Sequence, residues 1–175
     1  MTRIFLILLL GMTLSQSSIA KTNVSIEKAV KSSFTSVSVV EAKQIVLTKV
    51  QYKKIKKRAK TAVRTKIYRY YAIKSGTKTI GYGVLITRKV RTKKATVLYA
   101  FDLGGKLKFS EIMAFGEPPE FIPNKQWMAQ FKNQTSSVAL TMGKDIPTIS
   151  GSTLSARIIS DGARIARAIY ETVLK

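Results

Sequence analysis

The chain has 175 residues, 31 lysines and arginines against 9 aspartates and glutamates, and a formal net charge of +22. It contains no cysteine and no histidine, which excludes disulfide frameworks, thiol chemistry, His-Cys zinc sites and catalysis by an imidazole. Demanding chemistry in such a chain needs a borrowed cofactor, so we expect no metal site and no catalytic side chain of its own.

The first 20 residues have the pattern of a secretory signal peptide. Arg3 supplies the positive charge, residues 4–14 are largely apolar, and Ser18 and Ala20 are small residues at the right spacing for cleavage. The apolar run is too short to cross a bilayer as a helix, which favours a cleaved leader over an anchor. Removing 20 of the 175 residues leaves 155, enough for one domain with a real core. We expect a periplasmic or otherwise exported protein.

Residues 21–62 are predicted to form a basic helical region. A short amphipathic helix is expected over residues 24–34 from the spacing of its apolar side chains, which are Ile26, Val30 and Phe34. Thr48 and Gln51 fit a capping box, in which a threonine is followed three residues later by glutamine. A second, very basic helix should begin there.

From residue 67 the pattern changes to strands. Segments rich in β-branched and aromatic residues are separated by turn sequences that contain glycine. The predicted strands are residues 67–73, 79–90, 95–101 and 106–115. Successive strands joined by short turns usually pair as neighbours, so these four should form an antiparallel meander.

The C-terminal third predicts a loop, a short helix and a long helix. The loop at 115–123 is too rich in proline for regular structure, and Asn124 can cap a helix over 125–131. The last helix has an apolar stripe that should face the core. Its members are Leu154, Ile158, Ile165, Ile169 and Val173. The predicted fold is therefore α+β: an antiparallel sheet of about four or more strands, packed with N-terminal helices and a long C-terminal helix.

A Ser-Gly-Ser-Thr sequence lies at the start of that long helix. Free backbone N–H groups and the positive end of the helix dipole meet at a helix N-terminus, which attracts phosphate. Thr153 can hydrogen-bond a phosphate or carry one covalently, and Gly151 permits the tight turn before it. The alternative is that these residues only cap the helix, as serine and threonine commonly do.

The stretch Ile149–Ala156 resembles the Ser-Gly-Ala-Thr motif of the FMN-binding domain family, with Ser152 in place of the alanine. That family includes the flavinylated subunits of ion-pumping NADH:quinone and ferredoxin oxidoreductases. Small exported members add a Phe-His-Glu-Pro-Pro-Glu-Tyr-type loop and a Trp-containing helix ending in Gln-Phe. Residues 115–121 and 127–131 are similar to these two features. Residues 91–96 resemble the basic segment that precedes the third strand in those members.

The resemblance implies that residues 63–175 are an FMN-binding domain, forming one compact unit with residues 21–62. It implies FMN as cofactor, attached through a phosphodiester to Thr153 by a separate flavin transferase. The expected cofactor-binding residues are Thr153, Ser150, Gly151, Ser152, Leu154, Ser155, Glu117 and Pro118. The chain would be an electron carrier between a membrane reductase and an extracytoplasmic acceptor, more a redox carrier or subunit than a stand-alone enzyme.

Two parts of the expected site have an alternative interpretation. Glu117 can form a wall of the flavin site, accepting a hydrogen bond from the ring or from backbone, or it can be a solvated acid on a proline-stiffened connection. Phe121, Trp127 and Phe131 can stack on the flavin, but aromatic side chains at helical spacing are more often core.

Charge along the chain is uneven. Residues 42–101 contain no acid and 18 lysines and arginines. Such a field attracts acidic proteins, anionic membrane surfaces or polyanions. The resemblance favours membrane or periplasmic redox partners, with an acidic protein or the outer face of the cytoplasmic membrane as docking surface and no nucleic acid. The alternative is a secreted cationic protein that binds nucleic acid or anionic envelope polymers by counterion release.

Overall fold

The computed structural model describes residues 25–175. The predicted signal peptide and its cleavage site lie outside these residues. Within the described part, no helix is long and apolar enough to cross a bilayer. The ordered elements, in chain order, are helix α1 (25–31), strand β1 (Val39–Val46), α2 (Lys49–Ala59), β2 (Ile67–Ser75), β3 (Lys78–Lys89), β4 (Lys94–Asp102), β5 (Leu107–Phe115), a 3-10 turn (Pro119–Phe121), α3 (Lys125–Met128), a second 3-10 turn (Ala129–Phe131), α4 (Thr153–Ile169) and a π-helical turn (Tyr170–Leu174).

The five strands form one antiparallel sheet in the order β1-β2-β3-β4-β5. This confirms the predicted α+β class and the meander. The sequence-based prediction missed β1, which pairs with β2 from Val39 opposite Lys74 to Val46 opposite Ile67. This strand lies at the edge of the sheet and is mostly exposed. Polar side chains therefore interrupt its apolar pattern, and the alternation that predicts a half-buried strand is weak.

Side chains on the two faces of the sheet enter two different apolar clusters. Along β4, Val97, Tyr99 and Phe101 pack into a larger cluster with α2 and α4. Leu98 and Ala100 point to the opposite face, where they pack with Ile26 and Val30 of α1 and other side chains. The sheet is thus covered on both faces, as the alternation of side chains along a strand requires.

Both predicted helix caps are confirmed. Thr48 Oγ1 accepts the Gln51 backbone N–H at 3.2 Å, and Gln51 Oε1 accepts the Thr48 N–H at 2.9 Å. Asn124 Oδ1 accepts the Trp127 N–H at 2.8 Å. Each cap satisfies N–H groups that the helix itself leaves unpaired, so each fixes where its helix begins.

The predicted apolar stripe of α4 is wrong in its phase. Ile165 and Ile169 are buried, but Leu154 is 39% exposed. The buried face is built from many small residues, and its members include Ala156, Ile159, Gly162, Ala163 and Ala166. Small side chains let the helix lie close to the sheet. Because the prediction used only the large aliphatic side chains, it placed the buried face on the wrong side of the helix.

Gly162 of α4 lies directly against Tyr99 of the sheet. A Cβ atom placed on Gly162 would lie 2.5 Å from Tyr99 Oη of β4. The Tyr99 hydroxyl donates to the Ile159 carbonyl oxygen at 2.7 Å in the same place. The fully buried phenol therefore occupies the space that a side chain at position 162 would need.

Candidate functional site

The Ser-Gly-Ser-Thr turn leads directly into α4, as the sequence predicts. Gly151 adopts φ 78°, a left-handed conformation that glycine accepts without strain. Ser152 is the N-cap residue, but its side chain makes no capping hydrogen bond. Because no serine or threonine side chain caps this helix from the N-cap position, its first-turn N–H groups and dipole remain suited to binding an anion.

The hydroxyl groups of this turn differ in accessibility. Ser152 is buried, and its hydroxyl donates to the Glu120 carbonyl oxygen at 3.3 Å. Ser155 is also buried. Thr153 is exposed, and its hydroxyl donates to the Ile149 carbonyl oxygen at 2.9 Å. Thr153 is therefore the hydroxyl of these three that a large reactant can approach. Ser150 is also exposed but does not line the cavity at this helix N-terminus.

An open cavity of about 180 Å³ lies at this helix N-terminus. It brings together six of the eight expected site residues: Glu117, Gly151, Ser152, Thr153, Leu154 and Ser155. The other two, Ser150 and Pro118, are exposed nearby in sequence but do not line the cavity. Three lining residues were not on the expected list, namely Val90, Arg91 and Phe121.

Glu117 organises one wall of the cavity through the backbone. Its Oε1 accepts N–H groups from Arg91 at 3.0 Å, Thr92 at 2.6 Å and Lys93 at 2.6 Å. The Lys93 N–H, followed by those of Thr92 and Arg91, lowers the pKa of Glu117 to about 2, although burial opposes this. Glu117 is buried, so the alternative of a solvated acid is wrong.

Arg91 brings a positive charge to the same wall. Its guanidinium lies over the Phe121 ring, 5.3 Å from the ring centroid, a favourable cation–π distance. The sequence drew attention to residues 91–96 as a basic lead into the third strand and to Phe121 as a stacking candidate. It held no signal that would place Val90 beside the helix N-terminus, because that proximity depends on how α4 packs on the sheet.

Trp127 and Phe131 belong to the core, which confirms that interpretation over flavin stacking. Both are buried, with ring centroids 5.3 Å apart in an edge-to-face arrangement. The Trp127 indole N–H donates to the Pro147 carbonyl oxygen at 2.8 Å. This bond ties α3 to the segment that leads to the Ser-Gly-Ser-Thr turn.

The arrangement suits an anionic group held next to a reactive hydroxyl. Helix N–H groups and Arg91 provide positive charge and hydrogen-bond donors, and Thr153 provides an oxygen nucleophile. Among residues 25–175, no cluster of His, Cys, Asp or Glu could hold a metal ion. Comparison of the chain with protein-family models and with curated proteins found no match.

Proposed function

We propose that this chain carries FMN covalently on Thr153 and acts as an exported electron carrier. The observation that carries the proposal is the exposed Thr153 hydroxyl at a helix N-terminus without a side-chain cap, inside a cavity that Arg91 also lines. The Ser-Gly-Ser-Thr motif and the Glu-Pro-Pro loop support it through their resemblance to the FMN-binding domain family.

The residues around Thr153 fit the phosphate end of FMN. The first-turn N–H groups of α4 and the Arg91 guanidinium would stabilise the negative charge of a phosphodiester. Glu117 also lines the cavity, and it would hold the backbone of residues 91–93 in place, since its Oε1 accepts three N–H groups that offset its negative charge. The cavity of about 180 Å³ is small beside ordinary ligand pockets of about 300–1,000 Å³. It therefore suits the phosphate better than a whole flavin ring.

Attachment requires an activated donor, chemically a flavin dinucleotide, and a separate transferase. Thr153 Oγ1 would form a bond to the flavin-side phosphorus, while the pyrophosphate bond of the donor breaks. A nucleoside monophosphate then leaves, and the threonine proton is lost to base or solvent. Ile149 would orient the nucleophile, because its carbonyl oxygen already accepts the Thr153 hydroxyl at 2.9 Å.

Bound flavin would supply one- and two-electron redox chemistry. The protein would contribute attachment, partial burial and a positive field. We place the carrier between a membrane reductase and an extracytoplasmic acceptor, with an acidic protein or an anionic membrane surface as the docking surface for its basic residues.

The test is the mass and visible spectrum of the exported protein after co-expression with a flavin transferase. Thr153→Ala should be folded, colourless and without the FMN mass increment. Ser152→Ala is the matched control, because it removes the neighbouring hydroxyl, which is buried and already donates to Glu120. It should keep the flavin. Covalent flavin retained by Thr153→Ala, or a wild-type protein that never acquires flavin, would contradict the proposal.

A second candidate function is binding of nucleic acid or anionic envelope polymers. The observation that favours it is α2, whose lysines 53, 54, 56 and 57 are all exposed, within a span of the chain that has no acid. This function needs no flavin. A protein that stays colourless in every co-expression but binds polyphosphate or DNA with a steep salt dependence would favour it.

A further inference from the structure

A second cavity, of about 410 Å³, lies between the end of α2, residues 136–144 and the C-terminal half of α4. We call it the α2–α4 cleft. Five cations and one carboxylate are among the side chains that line it: Arg58, Lys60, Lys144, Arg164, Arg167 and Glu171. Such an excess of one charge in a concave surface concentrates counter-ions from solution.

Only part of this positive charge is neutralised by the protein. Arg58 forms an ion pair with Glu171, and Arg164 pairs with Asp161 at 2.5 Å. Within residues 25–175, the ion pairs leave Lys60, Lys144 and Arg167 without a carboxylate partner. The cleft therefore retains three cations that are not in an ion pair.

Arg167 is the most constrained of the three. It is 8% exposed, and its terminal nitrogens donate to the carbonyl oxygens of Val138 and Gln134. Its Nε has no hydrogen-bond partner. Burying a guanidinium is costly, and burial lowers the pKa of Arg167, although the charge of Glu171 opposes this. Glu171 already pairs with Arg58, so an anion in the cleft would add negative charge beside Arg167.

We propose that the α2–α4 cleft binds a phosphate-bearing ligand, either a soluble phosphate ester or a lipid headgroup. Arginine and lysine together suit the several oxygens of a phosphate. Ser136, Ser137 and Thr141 also line the cleft and add hydroxyl groups. This inference does not depend on flavin attachment: Arg167 follows Thr153 by 14 residues in α4, a distance of about 21 Å along the helix axis.

The first arm of the test titrates the protein with inorganic pyrophosphate at constant ionic strength and follows 1H–15N spectra, including the arginine Nε–H signals. The Arg167 Nε–H should shift on binding. The double variant Lys60→Asn/Lys144→Gln should bind about tenfold more weakly, because two cations that are not in an ion pair are removed. Asparagine is chosen because Lys60 has φ 48°, a left-handed conformation that asparagine tolerates.

The second arm measures sedimentation with phosphatidylcholine vesicles that contain or lack phosphatidylglycerol. The matched control for both arms is Lys28→Gln/Lys106→Gln, which removes the same charge from exposed positions outside both the cleft and α2. Its affinity should change by less than about twofold, since only the long-range field is reduced. Pyrophosphate binding with these properties supports a soluble ligand, and vesicle binding alone with the same variant pattern supports a headgroup. Equal losses in both double variants, or no binding in either arm, would overturn the proposal.

Discussion

The Lys93 backbone N–H donates to Glu117 Oε1 at 2.6 Å, joining the β3–β4 turn to the residue that follows β5 by two positions. The N–H groups of Arg91 and Thr92 converge on the same oxygen. Three successive N–H groups around one carboxylate oxygen form an anion-binding concavity, and here the protein fills it with its own acid. The positions of Arg91 and Glu117, which line the Thr153 cavity, therefore depend on these hydrogen bonds to a carboxylate.

These hydrogen bonds predict a defined loss of stability in acid. The pKa of Glu117 is about 2 in the folded protein, well below the ordinary value for a glutamate, so the ionised carboxylate is the better bound form. Its contribution to stability is fully present above about pH 4.5 and is lost as the pH falls towards 2. We expect Glu117→Gln to lower the melting temperature at pH 7. The difference from wild type should shrink between about pH 4.5 and pH 2.

Glu120→Gln is the control for this experiment. It removes an acid three residues away that is exposed and whose side chain is in none of the ion pairs of the described residues. Its melting temperature should follow wild type at every pH. A Glu117→Gln protein as stable as wild type at pH 7 would show that the negative charge of Glu117 is not important for stability, since the glutamine oxygen can still accept the N–H groups.

Gly162→Ala should destabilise the protein by about 1–3 kcal/mol in chemical denaturation, because the new methyl would meet the Tyr99 phenol. In an unobstructed helix interior the same change stabilises by about 1 kcal/mol. The sign of the change in unfolding free energy therefore shows whether the methyl meets an obstacle. Tyr99→Phe removes the atom that lies 2.5 Å away. The double variant should therefore be less destabilised than the sum of the two single variants. Additive losses would mean that the Tyr99 hydroxyl is not the group that the new methyl meets.

Thr48→Ala should lower stability by about 0.5–2 kcal/mol, since it removes the side-chain cap of α2. Thr61→Ala, just beyond the C-cap of the same helix, is the comparison and should change stability much less. Far-UV circular dichroism during urea titration measures both. A loss equal to that of Thr61→Ala would show that the packing of Ile55 and Ala59 alone determines where α2 forms.

If Thr153 carries flavin as proposed, electron transfer from the reduced protein to ferricyanide should slow as salt rises. The large excess of lysine and arginine over acids attracts the anion, and the screening length falls from about 30 Å to about 8 Å between 0.01 and 0.15 M salt. We expect a decrease of about threefold or more in stopped-flow rate over that range. A neutral quinone acceptor should show little change. If the rate of electron transfer to ferricyanide does not change with salt concentration, the flavin lies outside the positive field.

The candidate site was predictable in part from local sequence. Gly151, Ser152 and Thr153 are adjacent in the chain, and the motif alone indicates a helix start with a hydroxyl on its first turn. Which hydroxyl is accessible was not predictable, because the Ser152 hydroxyl is used by Glu120, 32 residues earlier. The cations of the α2–α4 cleft were visible in the sequence only as a diffuse excess of charge.

The sequence by itself determined the features that depend on neighbouring residues: the caps at Thr48 and Asn124, the turns between β2 and β5, and the antiparallel order of those strands. Tertiary structure decided the features that depend on distant partners. The edge strand β1 forms because β2 offers its free N–H and C=O groups, although its own pattern is polar. The buried face of α4 follows from the close approach of Gly162 to Tyr99. The buried state of Glu117 likewise follows from backbone N–H groups more than 20 residues away, whose convergence no local periodicity encodes.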